Sequence, residues 1–151
     1  MNIRPFRDSD FAEWARMEYA LLPDAATGDE QASWMHQLLA NPNAAVFIAE
    51  RADGSVCGFV EVGTRAYADG CDTSPVGYVE AWWVDADMRR CGLGRALLAA
   101  AENWARDMGY TEMASDALLD NTVSHEAHKH SGYEEVERLV VFRKSLGTAP
   151  A

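Results

Sequence analysis

Residues 78–108, Y-V-E-A-W-W-V-D-A-D-M-R-R-C-G-L-G-R-A-L-L-A-A-A-E-N-W-A-R-D-M, read as an apolar strand, a turn, a Gly-rich bend and an amphipathic helix. Leu93, Ala96, Leu97, Ala100, Ala101, Trp104 and Met108 recur at spacings of three and four, so they share one face of a helix that starts near Gly92. The first-turn N–H groups of such a helix have no partner within it, and the helix dipole places partial positive charge there. An anion, above all a phosphate, is favoured at that end. Gly92 and Gly94 carry no Cβ to hold a phosphate off the backbone, while Arg89, Arg90 and Arg95 add donors. Three of the thirteen Lys and Arg residues fall within seven positions.

Two common phosphate motifs fail here. A dinucleotide-binding bend would have a third Gly where Leu97 stands, and a P-loop would have Gly-Lys-Ser/Thr. What is present, Arg89-x-x-Gly92-x-Gly94 between strand and helix, resembles the pyrophosphate-binding signature of the GCN5-related N-acetyltransferases (GNAT). The resemblance implies acetyl-CoA (acetyl-coenzyme A) as cofactor, with Arg89, Arg90, Gly92, Leu93, Gly94 and Arg95 around its diphosphate.

At 151 residues the chain makes one domain, expected over 1–146, with a frayed tail at 147–151. A composition of 48% apolar and 25% charged residues is that of a soluble globular protein. No apolar run approaches a membrane span and the N-terminus lacks a signal-peptide core, so a cytoplasmic location and no membrane partner are expected. Cys57, Cys71 and Cys91 are odd in number and lack a C-x-x-C pair, which suits free thiols and no metal site. The net charge of −11 disfavours nucleic acid and draws a polycationic ligand inward.

Along the chain, Met1 to Phe6 reads as a first strand, and Asp8 or Ser9 as the cap of a helix carrying Phe11, Trp14, Ala15 and Leu21 or Leu22, stopped by Pro23. Thr27 with Glu30 forms a capping box for a second helix to about Leu39, with Trp34, Leu38 and Leu39 as its apolar contacts. Residues 45–50 and 56–66 make a hairpin around Ala52-Asp53-Gly54-Ser55. After the central helix, 112–116 is a short parallel strand, Asn121 or Thr122 opens a helix to about Ser131, and 133–144 alternates as a long final strand. The order β-α-α-β-β-β-α-β-α-β is that of the GNAT fold: an α/β (α+β) architecture with a central mixed sheet flanked by four helices. In that fold the fourth and fifth strands splay apart into a cleft.

Acetyl transfer to an amine needs an amine stripped of its proton, a polarised thioester carbonyl and a proton for the leaving thiolate. By the resemblance, the pantetheine arm lies against Trp82, Trp83 and Val84, and Asn121 hydrogen-bonds it. Glu80, a charge inside an apolar run, is expected to face the cleft, and Asp116 to face it from the next strand. The family's usual Tyr general acid is replaced here by His128, counted back from Gly132-Tyr133. Three stretches taken together, at 69–80, at 113–116 with 121–124, and at 132–144, are similar to the aminoglycoside 6′-N-acetyltransferases. That likeness implies acetylation of the 6′-amine of an aminoglycoside antibiotic, hence antibiotic resistance, by direct attack in a ternary complex. It gives catalytic roles to Glu80, Asp116 and His128, and places Tyr67, Asp69 and Asp72 at the rim of the substrate site. Trp14, Leu22 and Pro23 would cover that site. It also implies a homodimer, with exchange of the C-terminal strand as one possibility. A polyamine or protein N-terminal acetyltransferase and a non-catalytic coenzyme A-binding module are the alternatives.

Overall fold

Gly77, Gly63 and Gly58 lie in two long strands whose other residues are almost all apolar or β-branched, and those strands form the spine of the molecule. The computed structural model describes residues 1–25 and 27–149; of the expected tail, residues 150 and 151 lie outside the described residues. The elements are β1 (Asn2–Pro5), α1 (Phe11–Leu21), α2 (Asp29–Ala40), β2 (Ala45–Glu50), β3 (Val56–Arg65), β4 (Val76–Val84), α3 (Leu93–Asp107), β5 (Met113–Ser115) and α4 (Thr122–His130). The sheet runs β1-β2-β3-β4-β5, antiparallel through β4 and parallel between β4 and β5. This is the mixed sheet with four helices expected above.

Each sheet face buries its own core. On one, Leu93, Leu97, Leu98 and Ala101 of α3 pack on Ala49, Cys57, Val60, Val62 and Val79. The expected face of α3 is right in phase but shifted, since Leu98 and Ala105 are buried while Ala96 and Ala100 are only half so. On the other face, Trp14 and Met17 of α1 and Met35 of α2 pack on Val46, Ile48 and Phe59. Truncating one of these wholly buried side chains costs about 2–5 kcal/mol.

Several local expectations are corrected. The turn before α1 is stapled by Asp10, not capped by Asp8 or Ser9. Asp10 accepts from the Arg7 amide at 2.7 Å and from both terminal nitrogens of the buried Arg4 at 2.7 and 2.8 Å. The Thr27–Glu30 capping box does not form, because Gly28 adopts φ +63° and the helix starts at Asp29. That start puts Glu30 one position too early for the reciprocal bond. On α2 the wholly buried residue is Met35, with Trp34 and Leu38 partly covered and Leu39 exposed. β4 begins two residues earlier than read, and β5 is shorter, leaving Glu112 and Asp116 as its flanks.

The largest correction concerns 133–144. Among the described residues this stretch pairs with no strand, and Val140, Val141 and Phe142 are 74%, 88% and 89% exposed. A strand needs an edge to accept its backbone groups, and β5, the near edge, is only three residues long.

Candidate active site

Two irregularities of β4 shape the site. Across the β3–β4 ladder Glu61 faces Ala81 and Val62 faces Val79, so Glu80 is the extra residue of a β-bulge. The bulge reverses the side-chain alternation: Val79, Trp82 and Val84 pack with α3, while Ala81 and Trp83 pack on the α1–α2 side. On its other side β4 pairs with β5 only over Gly77–Met113, Tyr78–Ala114 and Val79–Ser115. Beyond Val79 the two strands part, leaving the β4 edge from Glu80 to Val84 open towards α4 among the described residues.

The bend after β4 keeps the expected place, but its glycines have different reasons. Gly92 caps α3 at φ +88° with open space where a Cβ would lie, so the backbone conformation itself calls for glycine. Gly94 is needed for packing: a Cβ there would come within 3.0 Å of the Trp82 ring, whose Nε1 donates to the Gly94 carbonyl at 3.1 Å. No side chain caps α3, so its first-turn amides, those of Leu93 and Gly94 included, remain available to an anion. Arg89 is partly committed, donating from Nε to the Val84 carbonyl at 2.9 Å with its guanidinium 4.8 Å from the Trp83 ring centre. Arg90 holds φ +61°, a strained conformation for a side-chain-bearing residue, and Arg90 and Arg95 are exposed. Uncapped amides beside three arginines fit a diphosphate.

Glu80 and Asp116 are brought to one place, through two residues that the sequence did not signal. Arg65, the last residue of β3, donates from Nε and Nη2 to the two oxygens of Glu80 at 2.9 and 2.8 Å, and its guanidinium lies 3.5 Å from the Tyr78 ring centre. The Tyr78 hydroxyl donates to Asp116 Oδ2 at 2.5 Å. Burial first, then Asp116, push the Tyr78 phenol up, so it stays the proton donor of that bond. Glu80 raises the Arg65 pKa further, making it a permanent cation. Glu80 also lines a cleft of about 460 Å³ with Trp34, Gln37, Leu38, Asn41 and Thr64, between α2 and the β3–β4 hairpin.

His128, in the last turn of α4, faces Ser115 of β5 and Trp82 of β4. Its Nδ1 donates to the Ser124 carbonyl at 2.7 Å, its Nε2 meets the Ser115 hydroxyl at 2.8 Å, and its ring packs edge-on against Trp82 and Tyr133. Both ring nitrogens are thus engaged. Asn121 caps α4, its Oδ1 accepting from the Ser124 amide at 3.2 Å, with the side-chain NH₂ left over.

The loop after β3 carries Tyr67, which donates to Asp69 at 3.2 Å, and Asp72. Glu112 fixes this loop, with one oxygen accepting from the amides of Asp72 and Thr73 at 2.9 and 2.7 Å and from the Thr73 hydroxyl at 2.5 Å. Those bonds, that of Thr73 first, hold the Glu112 carboxyl below its usual range. Trp14 covers nothing at the site. It is wholly buried, with its ring edge-on to Phe6, Phe11 and Trp34 and its Nε1 donating to Glu61 at 3.1 Å, whereas Leu22 and Pro23 are exposed. Glu61 stands beside Glu18, and both are almost wholly buried at 3% and 2% exposure. Burial raises both carboxyl pKa values, each also feeling the other. Among the described residues no group of His, Cys, Asp and Glu is arranged to hold a metal ion, and Cys57, Cys71 and Cys91 are free thiols.

The sequence model of the Acetyltransferase (GNAT) family matches residues 9–133. The chain is 43% identical to an aminoglycoside N(6′)-acetyltransferase type 1 of Stenotrophomonas maltophilia, over 96% of this chain and 94% of that protein. It is 42% identical to the protein of that name from Klebsiella aerogenes, over 95% and 96%. Among solved structures it is similar to an aminoglycoside antibiotic 6′-N-acetyltransferase of Acinetobacter baumannii, at TM-score 0.90, 34% identity and coverage of 97% and 99%. It is also similar to AAC(6′)-Iy in complex with the bisubstrate analogue CoA-S-monomethyl-acetylneamine, at TM-score 0.89, 34% identity and coverage of 95% and 97%.

Proposed function

Because the chain belongs to the Acetyltransferase (GNAT) family, with aminoglycoside N(6′)-acetyltransferases among its relatives, we propose that it moves an acetyl group from acetyl-CoA to the 6′-amine of an aminoglycoside. The amine attacks directly, in a ternary complex. One observation carries this reading above all: Glu80 on β4 and Asp116 at the end of β5 stand on either side of Tyr78 and Arg65, where the two strands part, and β4 leads on into the uncapped α3 start. Bound coenzyme A supplies the activated acetyl group, and the rest falls to the chain itself. The α3 amides with Arg89, Arg90 and Arg95 hold the diphosphate, and the open β4 edge from Trp82 to Val84, with the Asn121 NH₂, takes the pantetheine arm. Glu80 seats the ammonium and accepts its proton directly or through water, and Asp116, Asp69, Asp72 and Tyr67 receive the drug's other charges. His128, with its Nδ1–H spent on Ser124, orients Ser115 and the Trp82 ring beside the cleft, and the departing thiolate takes its proton from water. Thiol release measured against kanamycin- and tobramycin-type drugs, spermidine and a peptide amino terminus tests the assignment. Turnover on a polyamine or peptide with none on the drugs would replace it, and coenzyme A binding without any turnover would leave a non-catalytic binding module.

The same reading covers assembly. Val140, Val141, Phe142 and Leu146 lie exposed on a segment of strand-like alternation, and such a segment is completed by the sheet edge of a second copy. The segment also reaches the rim, since a Cβ on Gly70 would collide with Val136. Light scattering should give a dimer for the full chain and a monomer for a chain ending at residue 132. A monomeric full chain would rule out the exchange. No helix among the described residues is long and apolar enough to cross a membrane, and the free thiols suit the reducing cytoplasm as the place of action.

A further inference from the structure

We propose that Arg65 is a built-in competitor for the acceptor amine: it occupies the Glu80 carboxylate as a substrate ammonium would, and the incoming amine must dislodge it. The inference rests on the acetyl-transfer reading and concerns selection at that same carboxylate.

The geometry carries it. Both Glu80 oxygens are taken by the fork of one guanidinium at 2.9 and 2.8 Å, the bidentate arrangement that saturates a carboxylate most fully. The seat proposed for the ammonium is therefore already held by a cation. Neither partner is sealed in: the side chains of Arg65 and Glu80 are 43% and 35% exposed, so the pair can open without burying a lone charge. Arg65 is also anchored independently of Glu80. Its guanidinium lies 3.5 Å from the centre of the Tyr78 ring, and the Tyr78 hydroxyl is tied to Asp116 Oδ2. Released from Glu80, the guanidinium keeps this stack on the ring. A brace that merely oriented Glu80 would be needed during turnover; a competitor must leave.

The consequence is a threshold. A weakly held monoamine gains at Glu80 only what Arg65 gives up there, whereas a polycation brings further charges for Asp116, Asp69 and Asp72 and so displaces the guanidinium. Arg65 thereby trades affinity for selectivity.

Steady-state thiol release with wild type, Arg65→Gln and Arg65→Lys, each also combined with Glu80→Gln, tests this. For Arg65→Gln the KM for an aminoglycoside should fall about fivefold while kcat stays within about twofold. Arg65→Lys, which keeps the charge but loses the fork, should fall between. In the Glu80→Gln background the Arg65 change should leave KM where it was, since nothing remains to compete for. Calorimetric titration of coenzyme A, unchanged within about twofold, reports that the variants are folded; should Arg65→Gln fail this control, the Lys variant decides alone. An unchanged or raised KM, or a loss of kcat at constant KM, would make Arg65 a support and end the proposal. Wild-type protein silent on every aminoglycoside removes the acetyl-transfer reading and the competitor with it, while an active wild type whose KM does not fall in the variants removes only the competitor.

Discussion

Glu61 and Glu80 sit on adjoining strands, one register step apart, yet the fold treats their carboxyl groups in opposite ways. Glu61 is enclosed by Trp14 and Glu18, with no cation in contact among the described residues, so burial keeps its proton on. Glu80, pushed outward by the bulge, is half exposed and forked by Arg65. The cause is backbone geometry: without the extra residue at 80, period-two alternation would run unbroken along β4. One acid is thus a neutral packing element and the other an exposed partner of an arginine, the one proposed as the reagent, and a one-residue irregularity separates them.

The comparison breaks most visibly if Glu80 is made neutral. Glu80→Gln should lower kcat/KM for an aminoglycoside about 10²–10³-fold in a thiol-release assay, with melting little changed. A variant that kept its activity would mean Glu80 is no reagent. Asp116→Asn should act in the same direction but less, raising KM about fivefold, because it removes one acceptor charge and leaves the Tyr78 hydroxyl a partner. Salt sharpens the contrast further. Raising ionic strength from about 0.05 to 0.5 M should raise the drug KM several-fold through screening of the exposed acids and leave the buried pair untouched.

Glu61→Gln should do the reverse of Glu80→Gln, with turnover kept within about threefold and stability raised. The sign follows from proton counts. In the unfolded chain Glu61 and Glu18 ionise above their ordinary value of 4.5, whereas the folded protein holds their protons to higher pH. The folded state therefore binds more protons, and stability falls as pH rises above about 4.5. Removing one carboxyl should stabilise the protein by roughly 1–3 kcal/mol at pH 8 and by little near pH 5, read from denaturant midpoints at both pH values. A variant destabilised at pH 8 would show that an ionised Glu61 supports the core. A small effect is expected at His128. His128→Gln should change kcat less than about fivefold, since Gln can serve as partner to Ser115 and Ser124, and a larger loss would mean the imidazole itself moves a proton.

Much of this was legible in residues 78–108, where apolar periodicity and a bend glycine agree on strand, turn and helix. Gly92 is legible because a left-handed cap leaves few alternatives; that the missing Cβ of Gly94 also makes room for Trp82 is not, because Trp82 reaches it only once the strand and helix have packed. Arg65 gave no signal, since an arginine ending a long strand fits any solvated edge, and its meaning comes from Glu80 fifteen residues on. The bulge was invisible for a similar reason: register belongs to a pair of strands and neither carries it alone. The stretch 133–144 shows the reverse case. Its alternation is that of a strand, but alternation makes a strand only where an edge takes up the backbone groups, and among the described residues no strand pairs with it.

The staple at Glu112 bears on how this protein can change. Because one carboxylate, anchored beside β5, sets the path of the loop through backbone amides, that path does not depend on which side chains stand at positions 67, 69 and 72. Under the proposed substrate reading, exchanging them would redraw which drugs are recognised while the scaffold under them stays put. Antibiotic pressure would then find its variants along that rim, with Glu112 the residue it must leave alone.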